Sequence, residues 1–357
     1  MSAAPPGGGR ASAVVPTLGT SPHLGRCLAA LRADGGEALE ILVVAQRTVD
    51  LAAGDRGAVE AARGLADVWV ESPRNLGFAG GTNLGIAVSR GEWVATVNDD
   101  ALVRPGWLAA LRAALEDDPR AAAAQGVNLR LADPATLDGR GLARNRWWQA
   151  VQLGHGEPAG TGLGREGGAA GGEVSGGDEG GAAGGELSGG RAAEVFGASA
   201  TAALFRRAAL DEVALPGAGS PAVFDPRLGS WYEDADLAGR LRAAGWRALS
   251  VPTARALHAG TATGARRRLR RLALLHGNRH LVAARLLGRG YLAALPRMAL
   301  RDLVDLVRAA GRADPLAAAG VLAGYLRAAR HLPAYLRPGP PALPRAELRR
   351  LAAERAR

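Results

Sequence analysis

Two adjacent carboxylates follow an apolar run in the first hundred residues. Asn98, Asp99 and Asp100 come directly after the run WVATV at 93–97, a pattern typical of a strand that ends in a polar loop. Neighbouring carboxylates repel each other unless a cation neutralises them, and hard oxygen ligands with room for phosphate suit Mg²⁺ or Mn²⁺. The alternative is an Asn-Asp turn that caps a helix after residue 106.

A glycine-rich segment, NLGFAGGTN, occupies residues 75–83. Glycines let the backbone approach a ligand closely, and a helix that starts behind them offers N–H groups to an anion. The dinucleotide fingerprint G-x-G-x-x-G is absent from this segment. The alternative interpretation is a plain turn from a strand to a helix.

Two aromatic residues and three acids precede or open a predicted helix at 236–244. Trp231 and Tyr232 come directly before Glu233 and Asp234, and Asp236 follows. Two exposed aromatic rings stack on sugar rings, and a carboxylate beside them deprotonates a hydroxyl. An acid also caps a helix start, and we assign capping to Asp236. The pattern predicts a sugar-binding site at this helix.

The composition narrows the classes to which this protein can belong. The 357 residues are 48% hydrophobic and 22% charged, as in a folded chain of one or two domains. Lysine is absent, which excludes a Walker-A loop and a Schiff-base enzyme. The single cysteine, Cys27, excludes an internal disulfide. We find no signal sequence and no apolar run long enough to span a membrane, so we expect a cytoplasmic protein.

The elements that must position these residues are short apolar runs that alternate with helix-compatible stretches. The runs lie at 13–15, 40–44, 68–70 and 93–97, and helices are predicted at 23–33 and 81–90. This alternation predicts an α/β fold with a mostly parallel sheet and helices on both faces. Ligands in such folds bind beyond the carboxyl ends of the strands.

Three further segments differ from this pattern. Residues 1–10 are predicted to be a disordered tail, and 154–192 a flexible Gly-rich insertion, with a lid over the site as the alternative. Residues 266–357 are predicted to be helical and amphipathic. This last segment carries 20 Arg and 5 acids, a net charge of +15. It contains three tyrosines as its aromatics, too few for a nucleic-acid stacking platform.

Taken together, the motifs resemble those of family-2 glycosyltransferases with the GT-A fold, especially the rhamnosyltransferase-like members. The resemblance covers residues 11–265 and is carried by NLGFAGGTNLGI, the NDD triplet, FDPRLGSWYEDADLAGRLRAAGWR and His258. It implies inverting transfer of a sugar from a nucleoside diphosphate sugar, with a divalent metal, Mn²⁺ or Mg²⁺. The acceptor is expected to be a glycan or a lipid-linked sugar of a bacterial surface polysaccharide.

The resemblance also implies roles for individual residues. Asp234 matches the general base, and Asp100 and His258 match metal or phosphate contacts, although a lone histidine is often a packed residue. The expected acceptor-binding residues are Trp231, Tyr232 and Glu233. The expected donor-binding residues are Pro16, Thr17, Gln46, Asp50, Asn75, Gly80, Asn83, Asn98 and Asp99.

Two departures and several alternatives stay open at this level. Ala45 stands where the family commonly has the acid that reads the nucleobase, so Gln46 and Asp50 are the remaining candidates. The basic C-terminal segment resembles tails that lie on the inner membrane face, with an ordinary packed helical subdomain as the alternative. Rhamnose is the favoured sugar, and galactofuranose or another hexose is second. Two alternatives lie outside the glycosyltransferases: a non-catalytic glycan-binding protein and a nucleic-acid-binding protein. The acids at 98–100 and 233–236 argue against nucleic-acid binding, because they repel phosphate without a metal.

Overall fold

Twelve strands of the described part of the chain form a large mixed sheet and a small hairpin. The structure is a computed structural model that describes residues 9–47, 59–161, 190–217, 220–260 and 265–336. Most of the tail 1–10, the central part of the insertion, residue 50 and the last 21 residues lie outside it. The strands are β1 (Ala11–Thr17), β2 (Leu39–Gln46), β3 (Val68–Ser72), β4 (Trp93–Val97), β5 (Ala101–Val103), β6 (Ala121–Arg130), β7 (Leu137–Gly139), β8 (Leu142–Arg144), β9 (Ala150–Gln152), β10 (Ala193–Val195), β11 (Ala202–Arg206) and β12 (Arg247–His258).

The helices follow the predicted alternation closely, with ends that differ by a few residues. Those discussed below are α1 (Leu24–Gly35), α2 (Gly77–Val88), α3 (Trp107–Asp117), α4 (Arg207–Glu212), α5 (Glu233–Ala243), α6 (Ala265–Leu287), α7 (Tyr291–Gly311) and α8 (Pro315–Tyr335). The predicted helix at 236–244 thus begins three residues earlier, so that Glu233 and Asp234 lie in its first turn.

The main sheet has the order β10-β12-β6-β11-β4-β1-β2-β3. Neighbours among β1, β2, β3 and β4 are parallel, and β12 is parallel to β6. Because β11 is antiparallel to both β4 and β6, these two strands point the same way. The carboxyl ends of β1, β4 and β12 therefore meet at one edge of the sheet, which confirms the predicted mostly parallel arrangement.

Alternation along the strands explains why helices cover both faces. In β1, Ala13 and Val15 pack into the core under α1 and α3, whereas Val14 packs into the opposite core with α2 and α5. Such strands read as continuous apolar runs because neither face meets water. The fold is an α/β sandwich of three layers.

Two glycines let α2 lie against the sheet. A Cβ on Gly81 would lie 2.5 Å from Gln46 Nε2, and one on Gly85 would lie 2.3 Å from Val14 Cγ1. Real Cβ atoms do not approach other atoms this closely, so larger residues would push α2 away from β1 and β2. The glycine-rich sequence is thus required by helix packing.

The C-terminal helices pack on the sandwich through buried ion pairs. Arg285 of α6 pairs with Asp225 and Asp236, and Tyr335 of α8 donates a hydrogen bond to Asp225. Burial alone would raise the pKa of Asp225, but Arg227 and Arg285 hold it well below its usual range. The predicted helical character is confirmed, and these helices form a packed subdomain.

The insertion prediction is wrong at its N-terminal end. Residues 154–161 are hydrogen-bonded to the segment that contains β7: Leu137 N–H donates to Glu157 O at 2.8 Å, and Ala159 N–H to Ala135 O at 2.7 Å. The glycines suggested a flexible start, but these backbone bonds hold the chain in place. Residues 162–189 lie outside the described part.

Candidate active site

The sheet edge brings together five polar side chains from three strand ends. Thr17, at the end of β1, donates a hydrogen bond of 2.5 Å to Asp99 Oδ2. His258, at the end of β12, places Nε2 3.2 Å from Asp100 Oδ1 and 3.3 Å from Asn98 Nδ2. The sequence placed these residues up to 241 positions apart, and the parallel topology makes them neighbours.

Asp138 completes this cluster and was not foreseen from the sequence. It lies on β7, and its Oδ2 is 2.8 Å from His258 Nδ1. His258 is therefore held between two carboxylates, Asp138 on one ring nitrogen and Asp100 on the other. An isolated acid between Leu137 and Gly139 offers no sequence signal that could have revealed it.

The electrostatics of the cluster favour a cation. Burial, together with the Asp100 charge, raises the pKa of Asp99 to about 6, although the Thr17 hydrogen bond acts in the opposite direction. Burial alone would lower the pKa of His258, but hydrogen bonds to Asp100 and Asp138 raise it to about 9. Carboxylate oxygens beside an imidazole nitrogen match the ligands of Mn²⁺, so the residues present fit a divalent metal.

The alternative of a helix cap at 98–100 does not hold. β5 begins directly after Asp100, and the helix that follows, α3, is capped by a different acid. Asp34 accepts hydrogen bonds from Gly106 N–H at 2.6 Å and Leu108 N–H at 2.8 Å. The acids at the end of β4 are therefore not needed to cap α3.

Asp234 is connected to this cluster through the segment before β11. Its Oδ1 accepts the Ala235 N–H at 2.8 Å, and the Ser199 side chain and the Ala200 backbone lie close enough to act on its pKa, lowering it against the effect of burial. Two residues further on, Thr201 O accepts the Asn98 N–H at 2.8 Å. Burial raises the pKa of Asp234, which makes this carboxylate a better proton acceptor near neutral pH.

The two aromatic residues before α5 face different surroundings. Trp231 is 39% exposed, whereas Tyr232 is 8% exposed and packs in a core with Leu228 and Phe196. The prediction of two exposed rings is therefore wrong for Tyr232, whose hydroxyl accepts the Ala150 N–H at 3.3 Å. Trp231 alone offers a ring to an acceptor.

Glu233 is buried beside Asp234, and one of its carboxyl oxygens has an unmet hydrogen-bonding capacity among the described residues. The residue is 7% exposed, and its Oε2 has no hydrogen-bond partner among the described residues. Burial, with the charges of Asp234 and Asp236, raises its pKa well above the ordinary value. The surroundings of this side chain therefore favour its neutral form.

Asp236 does not cap α5, contrary to the prediction. It is fully buried, and its two oxygens pair with Arg240 and Arg285. The residue before the helix, Tyr232, makes no side-chain cap. Asp236 thus joins α5 to α6, and no local pattern could reveal this partner because Arg285 lies 49 residues away.

The glycine-rich segment holds a loop instead of leaving N–H groups for an anion. Phe78 N–H donates to Ser230 Oγ at 3.2 Å, and Ala79 N–H donates to Gly229 O at 2.8 Å. Asn75 Oδ1 accepts the Gly77 N–H at 2.8 Å. The first turn of α2 thus binds residues 229–230, and a donor contact by Asn75 or Gly80 stays a prediction.

Of the four other predicted donor residues, two have structural partners, one is buried and one lies outside the described residues. The Asn83 amide bonds both the N–H and the carbonyl of Phe224, at 2.9 and 2.7 Å. Gln46 Oε1 accepts the Leu76 N–H at 2.8 Å. These bonds show that both side chains position loops, and a donor contact by Asn83 or Gln46 stays a prediction. Asp50 lies outside the described residues, and Pro16 is buried at the end of β1.

A second group of acids and histidines lies far along the chain, in the C-terminal helices. His276, Asp302 and Asp305 bring one ligand atom each within 4.8 Å of one another. Arg279 already pairs with Asp302, and Arg301 with Asp305. These ion pairs neutralise the carboxylates, so the sheet edge remains the better metal site.

Comparison with known proteins supports the fold and covers the part of the site that lies on β1 and β4. Residues 12–149 match the family model described as Glycosyl transferase family 2. This segment contains β1 and the acids at 98–100, and it is similar to that family over 138 of the 357 residues. A comparison with curated proteins finds no match.

Two solved structures share the architecture at low sequence identity. The mannosyltransferase PcManGT from Pyrobaculum calidifontis, in complex with GDP-Man and Mn²⁺, is 20% identical with a TM-score of 0.50. The alignment covers 90% of this chain and 87% of that one. GalNAc-T7 with UDP, GalNAc and Mn²⁺ is 15% identical with a TM-score of 0.50; 70% of this chain aligns, spanning 44% of that protein. The fold is the α/β GT-A fold.

Proposed function

We propose that the protein is an inverting glycosyltransferase that moves a sugar from a nucleoside diphosphate sugar to a hydroxyl group. The observation that carries this proposal is the meeting of two chemical groups at one sheet edge. The Asp99, Asp100 and His258 cluster is suited to a metal and diphosphate, and Asp234 is tied to it through residues 199–201. The family match to 12–149 supports the same assignment.

Asp100 and His258 are the residues that would hold a divalent ion, with Asp99 and Asn98 beside them. The ion would supply positive charge for the diphosphate leaving group. Thr17 orients Asp99 by its hydrogen bond, and Asp138 orients the His258 ring.

Asp234 is the proposed general base. It removes the proton of the acceptor hydroxyl while the oxygen attacks the anomeric carbon, and the bond from that carbon to the diphosphate breaks in the same displacement. Its raised pKa suits this task because a more basic carboxylate accepts a proton more readily. The exposed ring of Trp231 offers a stacking surface for the acceptor sugar.

Rhamnose is the sugar we favour, on the resemblance of the motifs at 75–86 and 224–247, with galactofuranose or another hexose second. A thermal-shift screen of nucleotide sugars with and without Mn²⁺ tests the donor. We expect stabilisation by one nucleotide sugar that depends on Mn²⁺ and is lost in Asp100→Ala. The matched control is Asp211→Asn, an exposed acid on α4. Equal stabilisation of the parent and Asp100→Ala would contradict the metal assignment.

The C-terminal helices support a proposed site of action on the inner face of the membrane, where lipid-linked acceptors reside. On α7, Leu292, Leu300, Leu303 and Val307 are 51% to 67% exposed, whereas Asp302 on the other face is 1% exposed. On α8, Leu322 and Leu326 are 59% and 75% exposed. The helix α7 thus turns its apolar side outward.

Arginines beside this stripe favour an anionic lipid surface as its partner. Arg297 and Arg308 are exposed on α7, and residues 266–357 carry a net charge of +15. Apolar side chains enter the interface while arginines meet acidic head groups. None of the helices in the described ranges is long and apolar enough to cross a membrane.

Vesicle binding tests this part of the proposal. The full chain should co-sediment with vesicles that contain phosphatidylglycerol at low salt, and less with pure phosphatidylcholine. Leu303→Glu should weaken binding, whereas Val88→Glu, at an exposed position on α2, should not. A stable dimer in solution that Leu303→Glu dissociates would show instead that a second copy covers the stripe.

A further inference from the structure

The loop that carries Trp231 is held from two sides. On one side, the first turn of α2 donates to Gly229 and Ser230, as described above. On the other side lies Asn278 of α6, which is fully buried. Its Nδ2 lies 2.9 Å from Leu228 O, 3.2 Å from Ser230 O and 2.8 Å from Trp231 O. One side-chain amide therefore gathers three carbonyls of residues 228–231.

Arg327 of α8 fixes the orientation of this amide. Its Nε donates to Asn278 Oδ1 at 2.9 Å, and its Nη2 donates to Arg227 O. The acceptor Oδ1 is thereby turned toward a cation, and the donor Nδ2 toward the carbonyls. The reverse orientation would place four oxygens together, which is unfavourable for a buried group.

The backbone at this point explains why so many bonds are needed. Trp231 and Tyr232 have φ angles of 63° and 72°, the left-handed region that side chains with a Cβ rarely adopt. Such conformations persist where surrounding contacts determine them. The turn directs the Trp231 ring outward and the Tyr232 ring inward, and it leads directly into the helix that begins with Glu233 and Asp234.

We propose that Asn278, oriented by Arg327, is a positioning residue for acceptor binding, because it holds residues 228–231 in the turn that presents Trp231 beside Asp234. This inference rests on the proposed transferase function and extends it. The C-terminal helices then build the acceptor side of the site, while the donor cluster on β4 and β12 is independent of them.

Asn278→Asp is the decisive variant. It keeps the shape and the contact with Arg327 but removes the N–H donors to the three carbonyls. Arg327→Ala is the second variant, in case the buried carboxylate prevents folding, and Arg330→Ala is its exposed control one turn away. Each variant is first checked for folding by circular dichroism.

Two readouts test the proposal in the full-length protein. In hydrogen exchange, peptides that cover 228–235 should exchange at least tenfold faster in Asn278→Asp and Arg327→Ala, and peptides that cover 93–103 should not change. In transfer assays, KM for the acceptor should rise at least fivefold, while the dissociation constant of the nucleotide sugar stays within twofold. The Arg330→Ala control should match the parent in both.

The outcomes separate this proposal from the proposed function. Unchanged exchange at 228–235 in the folded variants would overturn it, and so would faster exchange with an unchanged acceptor KM. If the parent transfers no sugar from any donor, the transferase proposal fails, and the positioning role in acceptor binding fails with it. The exchange rates would then report only on how the loop is held.

Discussion

Replacing Asp234 and Asp236 by Asn, one at a time, should separate a chemical role from a structural role within one helical turn. Asp236 is fully buried between Arg240 and Arg285. Breaking a buried ion pair typically costs about 3–5 kcal/mol. Arg240 keeps two backbone carbonyls as partners and Arg285 keeps Asp225, so we expect the lower end, about 3 kcal/mol, for Asp236→Asn.

Asp234→Asn, in contrast, should keep the stability of the fold and lose turnover. Burial raises the pKa of Asp234, so its charged form is less favourable in the folded protein than in the unfolded chain. A neutral Asn should leave the free energy of unfolding unchanged or raise it. Loss of a general base, however, typically lowers the rate about 10²–10⁴-fold, and donor binding should stay at the parental level.

Urea unfolding followed by circular dichroism measures the stability of both variants, and transfer at saturating donor measures their turnover. Asp211→Asn, an exposed acid on α4, is the matched control and should match the parent in both assays. If Asp236→Asn unfolds at the same urea concentration as the parent, the argument from the buried ion pairs is refuted. Turnover of Asp234→Asn near the parental rate would refute its assignment as the base.

Three further predictions follow from individual residues. Asp100→Ala should abolish Mn²⁺-dependent donor binding in calorimetry, and unchanged binding would contradict its role as a ligand. Gly81→Ala should destabilise the fold by about 1–3 kcal/mol because its Cβ would meet Gln46, whereas Gly25→Ala, with open space around it, should not. Burial alone would raise the pKa of Asp302, but hydrogen bonds from His276 and His280 and the Arg279 charge lower it well below its ordinary value. Asp302 therefore stabilises the fold above about pH 4 and progressively less below it. In urea unfolding, Asp302→Asn should lower the free energy of unfolding at pH 7, and this loss should shrink toward pH 3. A loss that does not change with pH would refute the prediction.

The local sequence determined the elements and the position of the strand-end acids. Apolar runs with no polar face require a parallel sheet buried on both sides, and β1, β2, β3 and β4 were found with ends within a few residues. Asn98 and Asp99 could be placed at a strand end from the local sequence, whereas His258 was assigned to the same site only through the resemblance of the motifs.

Only the tertiary structure decided which polar residues serve the site and which serve the fold. Asn83, Gln46 and Asp236 have the residue types of a binding site, yet each makes a bond to a residue at least 30 positions away in the chain. Asp138 and Asn278 have no distinctive local pattern, and they face functional groups because β7 and α6 fold beside them. Hydrogen bonds between distant segments depend on packing geometry, which residue types and short spacings do not encode.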